Sequence, residues 1–262
     1  MRLLLAFKLQ DPSCIHILRG NHESKKMNER NIRFGGGFTQ ECMNAFKQDG
    51  AKVHALFEQL FIRLPLFGVI GEKVFVVHGG LPRFDDVKIE QLRRMQYKMD
   101  WSSNQLTPSV FMGEMTDDIV SKIMLFDAVW ADPHAGIGIV PCPQRGAMSI
   151  AFGSDITDKF CKNNGLDFVI RSHQLPSSDG YLWAHNNRLL TVFSASNYGR
   201  MSVNDAAVAI LRKNGGEDLI TDVFKHMNVD QDEIREASEL HSAAVEKISQ
   251  QLTNKFGEQV FK

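Results

Sequence analysis

"DFVIRSHQ", residues Asp167 to Gln174, runs from three apolar residues straight into an arginine, a serine, a histidine and a glutamine. Phe168, Val169 and Ile170 form a short aromatic and β-branched run, the mark of a strand buried on both faces. Three other stretches repeat the arrangement: "CIHILRGNHE" (Cys14 to Glu23), "KVFVVHGG" (Lys73 to Gly80) and "LLTVFSASNY" (Leu189 to Tyr198). Helical spacing lies between them. "AKVHALFEQLFIRL" sets Val53, Leu56, Phe57, Leu60 and Phe61 on one face before Pro65, and "SDITDKFCKNNG" offers Ser154 as N-cap and Gly165 as stop. "MRLLLAFKLQ" reads as the end of a helix. These patterns predict one large α/β domain, with helices covering a buried sheet.

Each predicted strand delivers polar side chains at its end, where open α/β sheets form their binding crevice, so the four loops are expected to converge on one site. Two histidines, His78 and His173, with the amide oxygen of Asn21, are sound ligands for a borderline divalent ion such as Mn²⁺, Fe²⁺ or Zn²⁺. Adjacent glycines let the backbone come close. A lone histidine at a strand end is most often structural; the same setting repeated three times argues for a shared site.

The composition narrows the partners. Thirty Lys and Arg against 31 Asp and Glu give a formal charge of -1, which excludes a nucleic-acid or membrane surface held by bulk charge. Cys14, Cys42, Cys142 and Cys161 lie far apart with no CxxC pair, as expected of reduced, buried thiols in the cytosol or nucleus rather than of a disulfide framework or a zinc knot. Lys8 cuts the first apolar run too short for a signal-peptide core, and no stretch approaches the roughly 20 apolar residues that span a bilayer.

In order along the chain, "LRGNHE", "HGG", "WADP" (Trp130 to Pro133), "QRGAMSIAFG" (Gln144 to Gly153), "RSHQ" and "FSASNY" resemble the PPP family of metal-dependent protein serine/threonine phosphatases, most closely its type 5 branch. The resemblance covers roughly Leu3 to Leu211 and implies a calcineurin-like metallophosphoesterase fold, a β-sandwich flanked by helices. It further implies two divalent metal ions, a hydroxide generated between them, and hydrolysis of phosphoserine and phosphothreonine in proteins without a covalent phosphoenzyme. Residue by residue, Asn21, His78 and His173 match ligands of one metal, Arg19 and Arg145 match phosphate clamps, His22 matches the general acid and Tyr198 the phenol beside the phosphate. Phosphoproteins are the implied substrates, with regulatory proteins as further partners.

The family's GDxHG and GDxVDRG segments are not in this sequence. The expectation is therefore an N-terminally incomplete fold in which one metal loses its protein ligands and the other keeps three of four. Two readings follow: part of a phosphatase catalytic domain, or a non-catalytic pseudophosphatase that binds phosphoproteins. A metallophosphoesterase acting on nucleotides or small phosphates fits the "WADP" and "SASNY" motifs less well. Smaller departures stand at Leu81-Pro82-Arg83 after "HGG", at Ala131 in "WADP", and at Gly199-Arg200-Met201 after Tyr198.

The catalytic pattern is expected to fill residues 1–212, leaving 213–262 as an extension. There Ile234, Ala237, Leu240, Ala244, Val245, Ile248 and Leu252 fall at helical spacing. Asn228, Asp230, Asp232 and Glu239 mimic a calcium loop, but Glu233 stands where such a loop needs glycine.

Overall fold

The computed structural model describes residues 2–34, 36–95, 97–98, 115–198, 204–213 and 219–226, with Ala243, Glu246, Lys247 and Gln250 as isolated helical positions. The remainder of the predicted C-terminal helix, the calcium-like loop and Gly199-Arg200-Met201 lie outside the described residues. Two compact units are present: Leu18–Lys225, and Met1–Ile17 with His226–Lys262. In the smaller unit, α1 (Arg2–Gln10) bears out the helix read from the first ten residues.

The larger unit is built on a five-stranded sheet. Its strands are β1 (Phe67–Ile70), β2 (Val74–Val77), β6 (Phe168–Arg171), β7 (Tyr181–Ala184) and β8 (Leu189–Val192), in the order β1-β2-β6-β8-β7. β2, β6 and β8 run parallel at the centre, and antiparallel β1 and β7 close the two sides. The central three are the predicted apolar runs, and they are almost wholly buried, as parallel strands covered on both faces must be. A second sheet, order β3-β5-β4, joins β3 (Asp132–Pro133), β4 (Ile139–Pro141) and β5 (Ile150–Phe152). A third pairs β9 (Ala206–Lys213) with β10 (Leu219–His226).

Helices complete the core. α6 (Asp117–Trp130) starts at Thr116, whose hydroxyl accepts from the Ile119 N–H, and carries Asp117 and Asp118 in the first turn, where the helix dipole favours negative charge. One apolar cluster joins Leu125 and Val129 of α6, Phe75 and Val77 of β2, Val169 of β6, Leu189 of β8 and Phe152 of β5. α5 (Ile89–Arg94) adds Ile89 and Leu92 to the same cluster. The fold is thus an α/β arrangement of sheets and flanking helices, as expected. α7 (Ser154–Asn164) is capped one residue earlier than expected, by Gly153 rather than Ser154, and ends as expected at Gly165 in the left-handed conformation. A side chain on Gly153 would lie 2.5 Å from the Gly136 carbonyl, so a capping serine has no room there.

Two expectations are corrected. Cys14–Leu18 has the composition of a strand but forms none; the next residue, Arg19, donates its N–H to the Pro65 carbonyl at 2.8 Å, ahead of β1. In α4 (Gly50–Phe61), the predicted apolar face includes Leu56, which is 56% exposed. Its neighbour α3 (Phe38–Phe46) sets the buried side instead: Phe38 packs against Phe57 and Phe61, and buried His54 pairs with Thr39 at 3.0 Å. Leu56 points about 200° around the helix from His54.

Candidate active site

The β2–β6 register places two loop histidines together. Val74, Phe75 and Val76 pair with Phe168, Val169 and Ile170, and the pairing continues past the strand ends through the Ser172 N–H, which donates to the His78 carbonyl at 3.0 Å. Gln174 then turns back on Ser172, and His173 adopts a left-handed backbone, φ 68°. The result is a T-shaped pair, the His78 and His173 ring centroids 5.1 Å apart, with Trp130 edge-on to His173 from the end of α6.

Asn21 joins from the first loop, its Oδ1 2.9 Å from His78 Nε2. That loop closes on itself: the Gly20 N–H donates to Glu23 Oε2 at 2.7 Å, and Arg19 Nε donates to the Glu23 carbonyl at 3.1 Å. Gly20 is required there, since a Cβ would sit 2.7 Å from that carboxylate and 3.1 Å from the His78 ring. Glu23 is therefore a loop-closing carboxylate. Arg19, read from the motif as a phosphate clamp, is fully buried, with its Nε on the Glu23 carbonyl of its own loop.

Burial is the first cause that pulls the two histidines far below the usual imidazole range, His78 to about 3 and His173 to about 2. The charges of Arg171, Arg145 and His22 push both the same way, and His78 adds to the effect on His173. Both rings are neutral at physiological pH, the state a metal ligand needs. His173 Nε2 is buried with no hydrogen-bond partner among the described residues; Asp132 Oδ1, at 3.9 Å, is too far to serve.

Asp132 organises the cationic side of the site. Its Oδ1 accepts from Arg171 Nη2 at 2.7 Å and its Oδ2 from Arg145 Nε at 2.8 Å. Arg171 has no exposed surface to offer: it also donates to the Gly79 and Ala131 carbonyls and to Gln174 Oε1. Burial lowers its pKa to about 10 against the opposing pull of Asp132. Arg145 differs: its side chain is 30% exposed, and only its Nε is bonded to Asp132. Neither Asp132 nor Arg171 was singled out from the sequence, although both lie in quoted motifs. The available signal was a lone charge at the end of an apolar strand, which burial obliges to find a partner.

The remaining expectations separate. His22 is exposed at the mouth of the cluster, close enough to act electrostatically on both histidines. Tyr198, 52% exposed, packs edge-on against Phe193, and its N–H donates to Asn204. Asn204 is the buried tie of that loop, donating to the Ala195 and Asp205 carbonyls. Among the described residues, no group of three or more His, Cys, Asp or Glu side chains is placed to hold a metal ion.

The family described as calcineurin-like phosphoesterase matches residues 1–177. The chain belongs to that family. Among curated relatives, the serine/threonine-protein phosphatase rdgC of Drosophila melanogaster is 34% identical over 206 residues, 78% of this chain and 29% of its own length. Serine/threonine-protein phosphatase 5 of Solanum lycopersicum is 36% identical over 195 residues, 74% of this chain and 30% of its own. The chain thus spans about 30% of the length of these relatives. A solved protein serine/threonine phosphatase from Saccharomyces cerevisiae, described as similar to human phosphatase PP5, superposes with a TM-score of 0.67 at 28% identity, covering 87% of this chain and 65% of its own. The resemblance to the type 5-like serine/threonine phosphatases is borne out.

Proposed function

We propose that this calcineurin-like phosphoesterase chain contributes to a site that hydrolyses phosphoserine and phosphothreonine in proteins. One observation carries the reading: a neutral, largely enclosed His78–His173 pair with Asn21 on it, faced by a partly exposed arginine and an exposed histidine. The unpartnered His173 Nε2 and the Asn21 oxygen fit part of the ligand shell of a single divalent ion, with His78 as the third donor. They do not fit a two-ion centre, since Asp132, the carboxylate beside His173, is taken up by Arg171 and Arg145. When bound, such an ion supplies Lewis acidity to phosphate and water. Arg145 grips equatorial phosphate oxygens with the part of its fork that Asp132 leaves unbonded. His22 protonates the departing serine or threonine oxygen from its exposed position. Tyr198 lines the approach. The four free cysteines support placing the protein in the reducing cytosol or nucleus, although only Cys42 and Cys161 are buried as expected, Cys14 being exposed and Cys142 half-buried.

The carboxylate-poor donor set favours a second reading, phosphoprotein binding without turnover. Mn²⁺ and a phosphoserine peptide supplied to the 262-residue protein separate the two. Turnover that disappears in His173→Asn and falls in His22→Asn supports the phosphatase. Peptide binding without turnover, abolished by Arg145→Ala, supports the binding module. Neither binding nor turnover refutes both.

A further inference from the structure

Arg83 stands where the sequence departs from its family after "HGG", and the proposed chemistry makes no use of it. Its guanidinium is nevertheless placed with care. Nε lies 3.2 and 3.0 Å from the two oxygens of Asp127, Nη2 lies 2.6 Å from Asp127 Oδ1, and the Arg83 N–H donates to Asp127 Oδ2 at 3.0 Å. The same Nη2 donates to the Met148 carbonyl at 2.6 Å. Asp127 is completely buried on α6, while the Arg83 side chain is 17% exposed. One guanidinium thus joins α6 to the turn between β4 and β5.

That turn carries Arg145. It is closed internally: Arg145 N–H donates to Cys142 O, Ser149 N–H to Gly146 O, Cys142 N–H to Ser149 O, and Ser149 Oγ to Arg145 O. Local bonds hold its shape but do not fix where it sits relative to α6 and the histidines. The pairing of β5 with β3 and β4 anchors the base of the turn, and two side-chain bonds tie the turn itself to carboxylates five residues apart. Asp132 binds the Arg145 guanidinium directly, and Asp127 holds Met148 through Arg83. With only the first, the turn would be tied at its base by the sheet and at Arg145 by the Asp132 bond, and its Met148 side would have no side-chain tie to α6 through Arg83.

We infer that Arg83 is a positioning residue for Arg145, fixing the turn that presents this arginine to phosphate by bridging Asp127 and the Met148 carbonyl. The inference rests on the phosphate-facing role of Arg145 proposed above. The alternative is that Arg83 merely neutralises Asp127, whose burial works to raise its pKa. The two roles separate because a buried ion pair can be replaced by apolar side chains with little loss of stability, whereas the Met148 bond cannot.

The test follows the Arg145 Nε–Hε resonance, assigned by its loss in Arg145→Lys, together with inorganic phosphate binding by calorimetry and thermal unfolding. Arg83→Met is expected to move the resonance, weaken phosphate binding about tenfold, as the loss of one well-placed charged contact does, and lower stability. Arg83→Met/Asp127→Leu is expected to recover the stability while the resonance stays displaced and phosphate binding stays weak. Return of both to their native values in that double variant overturns the inference, as does an unmoved resonance in Arg83→Met. If the double variant fails to fold, Arg83→Lys keeps a cation on Asp127 without the planar fork; a displaced resonance then supports the bridge and an unchanged one overturns it. Failure of the native protein to bind phosphate counts against the proposed function alone, since the resonance still decides the bridge.

Discussion

Acid should unfold the metal-free protein through its histidine pair. The unfolded chain protonates both rings near 6.5, whereas the folded chain keeps His78 neutral down to about 3 and His173 to about 2. Below 6.5 the unfolded state therefore binds more protons, and stability falls as pH falls. The contribution is complete above that value and is lost progressively toward pH 3 and 2. Each pH unit is worth about 1.4 kcal/mol per proton, so 1.5 units from 6.5 to 5 cost about 2 kcal/mol per ring and about 4 kcal/mol for the pair. That is a large part of the roughly 5–15 kcal/mol that holds a typical domain together. Urea titrations at pH 5, 6, 7 and 8 in the presence of a chelator measure it directly. His185, lowered by burial as well, acts in the same direction, so the decisive quantity is the difference between native protein and His173→Asn. Asparagine tolerates the left-handed backbone at that position and carries no titrating ring. The variant should lose about half of the acid sensitivity, about 2 kcal/mol at pH 5. Equal pH slopes for the two proteins would refute the reasoning.

Three further perturbations test the scaffold. Asp132→Ala leaves Arg171 buried without its counter-charge and releases Arg145; an expected loss of about 3–5 kcal/mol should appear in urea unfolding. Gly79→Ala would place a Cβ 2.5 Å from the Val129 carbonyl carbon and 2.6 Å from the Trp130 nitrogen, so β2 or α6 must shift. An overpacking cost of about 1–3 kcal/mol and displaced His78 and His173 ring resonances are the expected signature. Thr116→Ala removes the α6 cap for about 1 kcal/mol, while Thr116→Asn keeps it within a few tenths, both read from thermal unfolding.

The parallel core was legible because β2, β6 and β8 are buried on both faces and so appear as unbroken apolar runs. Cys14–Leu18 looks the same in composition, yet a strand exists only where a neighbour pairs with it, and composition does not say whether a neighbour is there. Leu56 fails for a related reason: periodicity finds an apolar stripe, but α3 selects which part of it is covered. At the site, the motifs led to Asn21, His78 and His173, which the structure brings together. They did not show that Arg19 Nε would close its own loop, nor that Asp132 would hold Arg171 and Arg145 at once. Buried ionic networks depend on residues distant in sequence, here 39 positions between Asp132 and Arg171.

The register of β2 on β6 has a consequence for how the protein comes to be folded. Val74 pairs with Phe168 across 94 positions of chain, a closure that local hairpins such as β1–β2 do not require. Contacts of that separation are slow to form, because the entropy of a long loop is lost before any bond repays it. The two histidine rings meet only after that closure, so their mutual proximity is a late event in the chain's history. A nascent or misassembled chain can carry every helix and the first hairpin and still lack the pair. Through-space contact between His78 and His173 therefore certifies correct assembly of the sheet in a way that total helix or strand content does not.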